Sequence, residues 1–262
     1  MVALVAPISC GSCSHCRRGH DGACKRGGVG RGYGRDGGLA PYVLAGAARE
    51  VIKLTTLEPI AAAPLTDAGA TSYHAVKRAL PHLVPGSTAV VLGAGGLGTF
   101  AVQILRALSP ATVVAVDTNP TRLELARQLG AHHALAGVGD TTTDDVRALT
   151  DGEGADAVLD FVGIDQSIQA GVAAVRRSGV FALVGAAGGT LRKPWYGHLP
   201  READIFTFQG SDIADAHEVI ALAEAGLVHS EVDVFAFDRV AEAYEALAAG
   251  TLRGRAVVTP DR

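Results

Sequence analysis

The sequence predicts an α/β protein centred on a doubly wound parallel sheet, and three observations carry that prediction. A β-rich run, Ser87-Thr88-Ala89-Val90-Val91-Leu92, feeds a glycine turn with the spacing Gly93-x-Gly95-x-x-Gly98. The turn opens an apolar pattern at helical spacing through Leu97, Ala101, Ile104, Leu105 and Leu108. From there strand and helix signals alternate through most of the remaining chain, as a parallel sheet with crossover helices requires.

Composition sets the outer limits. The 262 residues suffice for one large domain or two smaller ones, and 48% of them are hydrophobic, enough for a sizeable core. The net charge of -4 is modest and unclustered, so nothing points to a nucleic-acid partner. No apolar stretch is long enough and free enough of glycine to span a bilayer. The opening Met1-Val2-Ala3-Leu4-Val5-Ala6-Pro7-Ile8 lacks the basic start and small-residue cleavage site of a signal peptide. It reads as a strand, and a cytoplasmic protein is expected.

All four cysteines follow in one cluster, Cys10, Cys13, Cys16 and Cys24. Three at C-x2-C-x2-C spacing wrap a turn around one point, and the fourth, after a longer loop, completes a thiolate tetrahedron suited to zinc. Disulfides are the weaker reading without a signal peptide. An iron–sulfur cluster is the other alternative, against which stand the distance of the fourth cysteine and the lack of a proline after it. Four protein ligands leave no open position for a substrate, so such a metal holds a loop together and does no chemistry. His15 and His20 within this lobe read as solvated loop residues.

The glycine-rich run Gly27 to Gly38, broken by Arg31, Tyr33, Arg35 and Asp36, reads as an ordered loop that passes into a strand over Leu39 to Leu44. Pro59 and Pro64 punctuate a connection to a helix that begins near Asp67 and runs through Tyr73, Val76 and Leu80 to Pro85. Asp67 before Ala68-Gly69-Ala70-Thr71 suits a helix cap. Thr71 reads as a helix hydroxyl, and His74 and His82 as packing or surface histidines.

The glycine turn has a physical rationale at each position. Gly93 permits the tight strand-to-helix turn, Gly95 carries no Cβ to obstruct a pyrophosphate, and Gly98 lets the helix approach the strand. Gly93, Gly95, Gly96, Leu97 and Gly98 are therefore candidate phosphate contacts at a helix N-terminus. A second strand, Thr112-Val113-Val114-Ala115-Val116, ends in Asp117, where a carboxylate accepts hydrogen bonds from an adenosine ribose and repels a 2′-phosphate. The cofactor expected is NAD rather than NADP. A glycine turn without a nucleotide is the bland alternative.

Asn119-Pro120 then supplies an N-cap with proline at the first helical position, and Gly130 closes that helix. Arg122 flanks the ribose or is a solvated charge. The next strand is Asp156 to Gly163, followed by a helix through Val172 and Val175 and a strand Val180 to Gly185. Strand ends on the carboxyl edge face the crevice, which makes Val162, Val184 and Gly185 candidate NAD contacts. Trp195 and Tyr196, in a proline-bounded loop, serve either a substrate pocket or a subunit contact. A strand over Ile205 to Phe208, a helix through Ile220 and Leu222, a strand over Val232 to Phe237, a helix over Asp238 to Ala249 and a strand over Arg255 to Val258 complete the chain.

The cysteine lobe, Gly34-Arg35-Asp36-Gly37-Gly38-Leu39-Ala40-Pro41-Tyr42, Pro64-Leu65-Thr66-Asp67-Ala68-Gly69-Ala70-Thr71 and the glycine turn stand in the order found in the zinc-dependent medium-chain alcohol dehydrogenases. The chain resembles that family over essentially its whole length, most closely the NAD-dependent members acting on secondary alcohols. Pro41 departs from a glutamate common there. The resemblance implies a Rossmann domain over 67–231, a partial GroES-like β-barrel domain over 1–66 with the zinc lobe at 10–24, and a return segment, 232–262, completing the latter. It implies that Asp67 descends from a ligand of a catalytic zinc, and that Thr71 and Ser211 lie beside the nicotinamide. Arg255 takes the position that reaches the pyrophosphate. An alcohol or ketone is the implied substrate, a dimer or tetramer the implied assembly.

In that family, zinc binds the alcohol oxygen and lowers its pKa, and hydride then passes to the nicotinamide. Two further ligands of that metal, a cysteine and the histidine of a Gly-His-Glu motif, lie upstream of the cysteine lobe. Here only Met1 to Ser9 precede Cys10, so the chain reads as a dehydrogenase shortened at its N-terminus. An exposed apolar face is expected where the other barrel strands would pack. The alternatives are a catalytically inactive NAD-binding protein with structural zinc, and a polyol or threonine dehydrogenase of the same family.

Overall fold

A computed structural model describes residues 1–27, 30–32, 34–139 and 141–260. Gly28, Val29 and Tyr33 of the glycine-rich run lie outside the described residues. In chain order the elements are β1 (Val2–Leu4), β2 (Gly30–Arg31), β3 (Gly34–Arg35), β4 (Val51–Lys53), α1 (Pro59–Ala62) and α2 (Ala68–Ala79). There follow β5 (Thr88–Leu92), α3 (Gly98–Leu108), β6 (Thr112–Asp117), α4 (Pro120–Gln128), β7 (His133–Ala136) and α5 (Thr142–Ala148). Next are β8 (Ala155–Asp160), α6 (Asp165–Ala174), β9 (Val175–Leu183), β10 (Asp204–Thr207) and α7 (Ile213–Glu224). The chain closes with β11 (Val232–Ala236), α8 (Val240–Ala249) and β12 (Arg255–Thr259). Two compact units result: Ala75–Phe208, and Met1–His74 together with Gln209–Arg262.

The unit Ala75–Phe208 is the α/β fold expected. Its six strands are all parallel in the order β10-β9-β8-β5-β6-β7, so the order reverses between β5 and β8. Ligand crevices form at such a switch point, beyond the carboxyl ends of the strands. Strands buried on both faces must be apolar throughout, and Val90, Leu92, Val114, Val116, Val158 and Phe181 are buried accordingly. Ile168 and Val172 of α6 and Val146 of α5 pack against them. On α3 the inward positions Ala101, Ile104 and Leu105 are fully buried, while Leu97 and Leu108 at its ends are partly exposed.

The unit formed by the two chain ends holds smaller pieces. β1 pairs antiparallel with β4, and β11 pairs parallel with β12 under α8. Four local expectations are corrected here. The strand expected over Leu39 to Leu44 does not form: among the described residues none pairs with it as a strand, and Tyr42 and Leu44 are 93% and 81% exposed. The opening strand is confined to Val2–Leu4, where β4 supplies hydrogen-bond partners. Val175 belongs to β9, not to the preceding helix, because pairing with Ala155 of β8 captures it. The helix expected from Asp67 to Pro85 is regular only over Ala68–Ala79, the proline of Leu80–His82 tightening its last turn.

Candidate functional site

The crevice at the switch point is built by three loops. After β5 the chain turns at Gly93, whose φ of 87° lies in the left-handed region that glycine adopts freely. A Cβ on Gly98 would lie 1.9 Å from the Gly93 carbonyl oxygen, so the turn closes only on glycine. A Cβ on Gly95 would meet nothing nearer than Arg122, at 3.8 Å, which leaves its outer face open. α3 begins here, the Thr99 amide donating to the Gly95 carbonyl and the Phe100 amide to the Leu97 carbonyl, each at 3.0 Å. Gly93, Gly95, Gly96, Leu97 and Gly98 line a cavity of about 440 Å³ together with Asp117, Arg122 and Val162. That volume falls within the ~300–1,000 Å³ of small-molecule sites.

Asp117 ends β6 and is buried. Its Oδ2 accepts from the Ala94 amide at 2.8 Å and its Oδ1 from the Asn119 amide at 2.8 Å. The carboxylate thus fixes the glycine turn and the start of α4 at once. Asn119 caps α4, accepting from the amides of Thr121 and Arg122, and this delivers the Arg122 guanidinium to 4.0 Å from Asp117. Val184 and Gly185 do not line this cavity; both amides donate to the carbonyl oxygen of Asp160, each at 2.9 Å. Besides Thr118 and Val138, sequence reasoning missed Phe161, Ile164 and Gln166, which complete the cavity, and Asp160, which supports them. Their signal was the loop immediately following a central strand. A larger cavity of about 1170 Å³ in the same unit runs beside Trp195 and Tyr196 and shares no lining residue with this one.

In the other unit, Cys10, Cys13, Cys16 and Cys24 converge with all Sγ atoms within 4.8 Å of one another. Cys10 and Cys16 sulfurs are 3.9 Å apart, Cys13 and Cys16 sulfurs 3.5 Å. Four thiolates at ~2.3 Å from zinc stand roughly 3.8 Å apart, so the residues fit that ion. Backbone amides donate toward the sulfurs: Cys13 to Cys10, and Cys10 and Arg26 to Cys24, each at 3.4 Å. The hydrogen bonds from Ser12 and Cys13 bring the Cys10 thiol down to about 5, and amide donors bring Cys13 to about 7. Burial pushes Cys16 up to about 11. The loop between Cys16 and Cys24 is tied back at Asp21, which accepts from Arg49 and Ser9 at 2.5 Å, and at Gly22, whose amide donates to Asp212 at 2.8 Å.

Asp67 has other company. Its carboxylate lies 3.3 Å from Arg255 Nη2, and the two residues border a cavity of about 360 Å³ that is otherwise mainly apolar. Among the described residues no group of three or more His, Cys, Asp or Glu side chains that could hold a metal ion includes Asp67. Thr71 is half-buried, its amide donating to the Asp67 carbonyl, and Ser211 is buried. His74, expected to be a packing or surface residue, bonds Asp215 at 2.6 Å beside Asp212. No helix among the described residues is long and apolar enough to cross a membrane.

The zinc-binding dehydrogenase family matches residues 96–225. An NAD-dependent alcohol dehydrogenase of Sulfurisphaera tokodaii is 34% identical over 256 residues, 95% of this chain and 72% of that protein. A D-arabinose 1-dehydrogenase (NADP(+)) of Saccharolobus solfataricus is 30% identical over 252 residues, 95% of this chain and 71% of its own length. Among solved structures, the alcohol dehydrogenase of Aeropyrum pernix superposes with a TM-score of 0.92 at 36% identity, covering 99% of this chain and 75% of that one.

Proposed function

The chain belongs to the zinc-dependent medium-chain alcohol dehydrogenase family, and from that premise we propose that it is an NAD-dependent oxidoreductase for a secondary alcohol or the corresponding ketone. The observation that carries the cofactor is the crevice in which Gly93 to Gly98, Asp117, Arg122 and Val162 converge. In this reading the turn amides and the N-terminus of α3 hold the pyrophosphate, the Asp117 carboxylate accepts from the ribose hydroxyls, and Arg122 covers the adenosine side. Bound there, NAD supplies a hydride acceptor at its nicotinamide ring. Val184 and Gly185 serve the crevice through their backbone. Thr71 and Ser211, within a nucleotide-binding domain over 67–231, and Arg255, in the return segment 232–262, are assigned to the cofactor by resemblance.

Zinc in this reading is structural, held by Cys10, Cys13, Cys16 and Cys24. It supplies a fixed crosslink for the loop and leaves no coordination position for substrate. The pairing of Asp67 with Arg255 favours a second reading, in which these residues bind NAD without assembling a catalytic zinc. The D-arabinose enzyme among the relatives widens the substrate class to polyols and sugars. A cytoplasmic dimer or tetramer belongs to the same reading, supported by resemblance.

Two measurements on the purified chain test the proposal. NAD is titrated calorimetrically, and zinc per chain is determined by elemental analysis alongside an alcohol-oxidation assay. Tight NAD binding with one zinc and no turnover supports the second reading; two zincs with turnover support the dehydrogenase and restore Asp67 as a ligand. Absence of NAD binding defeats both, and absence of zinc defeats the assignment of the cysteine lobe.

A further inference from the structure

We propose that Asp160 is a positioning residue for the dinucleotide crevice, locking the loop after β8 and the loop after β9 into a single two-layered wall on which NAD affinity depends. The inference rests on the reading of this crevice as the NAD site. Asp160 ends β8 with no exposed surface. Its Oδ1 accepts from the amides of Val162 and Gly163, at 2.8 and 3.0 Å, and its Oδ2 accepts from Ser167 Oγ at 2.8 Å. The same hydroxyl accepts from the Ile164 amide at 3.1 Å, so side chain and helix start form one network. The carbonyl oxygen of Asp160 meanwhile accepts from both Val184 and Gly185.

The two loops are in backbone contact above this point. A Cβ on Gly163 would lie 2.1 Å from the Gly185 oxygen, one on Gly185 would lie 2.2 Å from the Val162 carbonyl carbon, and one on Gly189 would lie 2.5 Å from that of Ile164. The Gly189 amide donates to Gly163 at 2.9 Å, and Thr190 donates twice to Asp165, at 2.7 and 3.0 Å. The lower layer presents Phe161, Val162, Ile164 and Gln166 to the crevice. Burial pushes the Asp160 carboxyl up, and the three hydrogen bonds on it act in the opposite direction. An apolar residue here would leave the Val162 amide and the buried Gly163 amide without their acceptor, and the buried one is the costly case.

The test is NAD affinity of the full 262-residue chain by calorimetry, with folding followed by circular dichroism. Asp160→Ala is expected to raise the NAD Kd about tenfold or more with zinc content unchanged. In Asp160→Asn the side-chain oxygen still accepts from two amides and its NH2 donates to Ser167, so a Kd within about threefold of wild type is expected. Phe181→Leu, a core variant of the same unit, is expected to lower Tm without moving Kd. The proposal is overturned if Asp160→Ala binds NAD as wild type does, if Asp160→Asn loses as much as Asp160→Ala, or if Phe181→Leu weakens binding equally. Should Asp160→Ala fail to fold, Ser167→Ala is read the same way, an unchanged Kd overturning the claim. A wild-type chain without NAD affinity defeats the cofactor reading instead. The positioning is then read from hydrogen exchange at Val162 and Gly163, whose amides the side chain accepts and whose protection Asp160→Ala must abolish.

Discussion

A Cβ built on Gly98 lies 1.9 Å from the Gly93 oxygen and 3.3 Å from Val91 Cγ1, both inside van der Waals contact and the first against rigid backbone. Gly98→Ala is therefore expected to destabilise the chain by about 3 kcal/mol and to abolish NAD binding in what still folds, checked by urea unfolding and calorimetry. Asp117 acts through charge. Asp117→Asn keeps an acceptor for the Ala94 amide but removes the repulsion of a 2′-phosphate beside Arg122. Its preference for NAD over NADP is expected to fall about tenfold in parallel titrations, and an unchanged ratio would show that Asp117 does not face the ribose. For Asp160 the pH dependence has a definite sign. Burial raises its pKa in the folded state, so folded chains hold the proton to higher pH than unfolded ones. Its contribution is most favourable below the ordinary carboxylate range and is lost as pH rises through the elevated folded value. Asp160→Asn should gain Tm relative to wild type as pH rises from about 4 to about 8; a constant difference would contradict the buried ionisation.

At the scale of elements, the cysteine lobe has few buried apolar side chains of its own, and its loop depends on metal ligation with Asp21 and Gly22 as ties. Cys24→Ser is expected to drop zinc well below one per chain and to open the loop to trypsin at Arg17 and Arg18, seen by elemental analysis and mass spectrometry. Elements were legible in the sequence wherever a local rule fixes them. Asn119 followed by Pro120 caps α4 because the capping hydrogen bonds span two and three residues. Leu39 to Leu44 and Val175 were misread because strand or helix there is decided by whether a partner strand lies alongside, which no local spacing records.

For the whole molecule, the sheet order places the ends of β5, β6 and β8 together, and that order gathers Gly95, Asp117 and Val162 from positions far apart in sequence. A ligand that binds only this folded arrangement stabilises it by mass action. NAD at about 100 times its Kd should raise the unfolding free energy by about 2.7 kcal/mol, visible as a rise in Tm. A scan unaffected by NAD would argue against the crevice as its site. By itself the sequence determined the α/β class, the glycine turn, the acidic end of β6 and the four-thiolate lobe, because each is written as residue type at short spacing. Only the tertiary structure decided that Asp67 pairs with Arg255 across 188 positions and His74 with Asp215 across 141, and that Asp160 carries two loops. Those partners meet through the packing of distant segments, and a buried carboxylate declares its role only when its donors are in view.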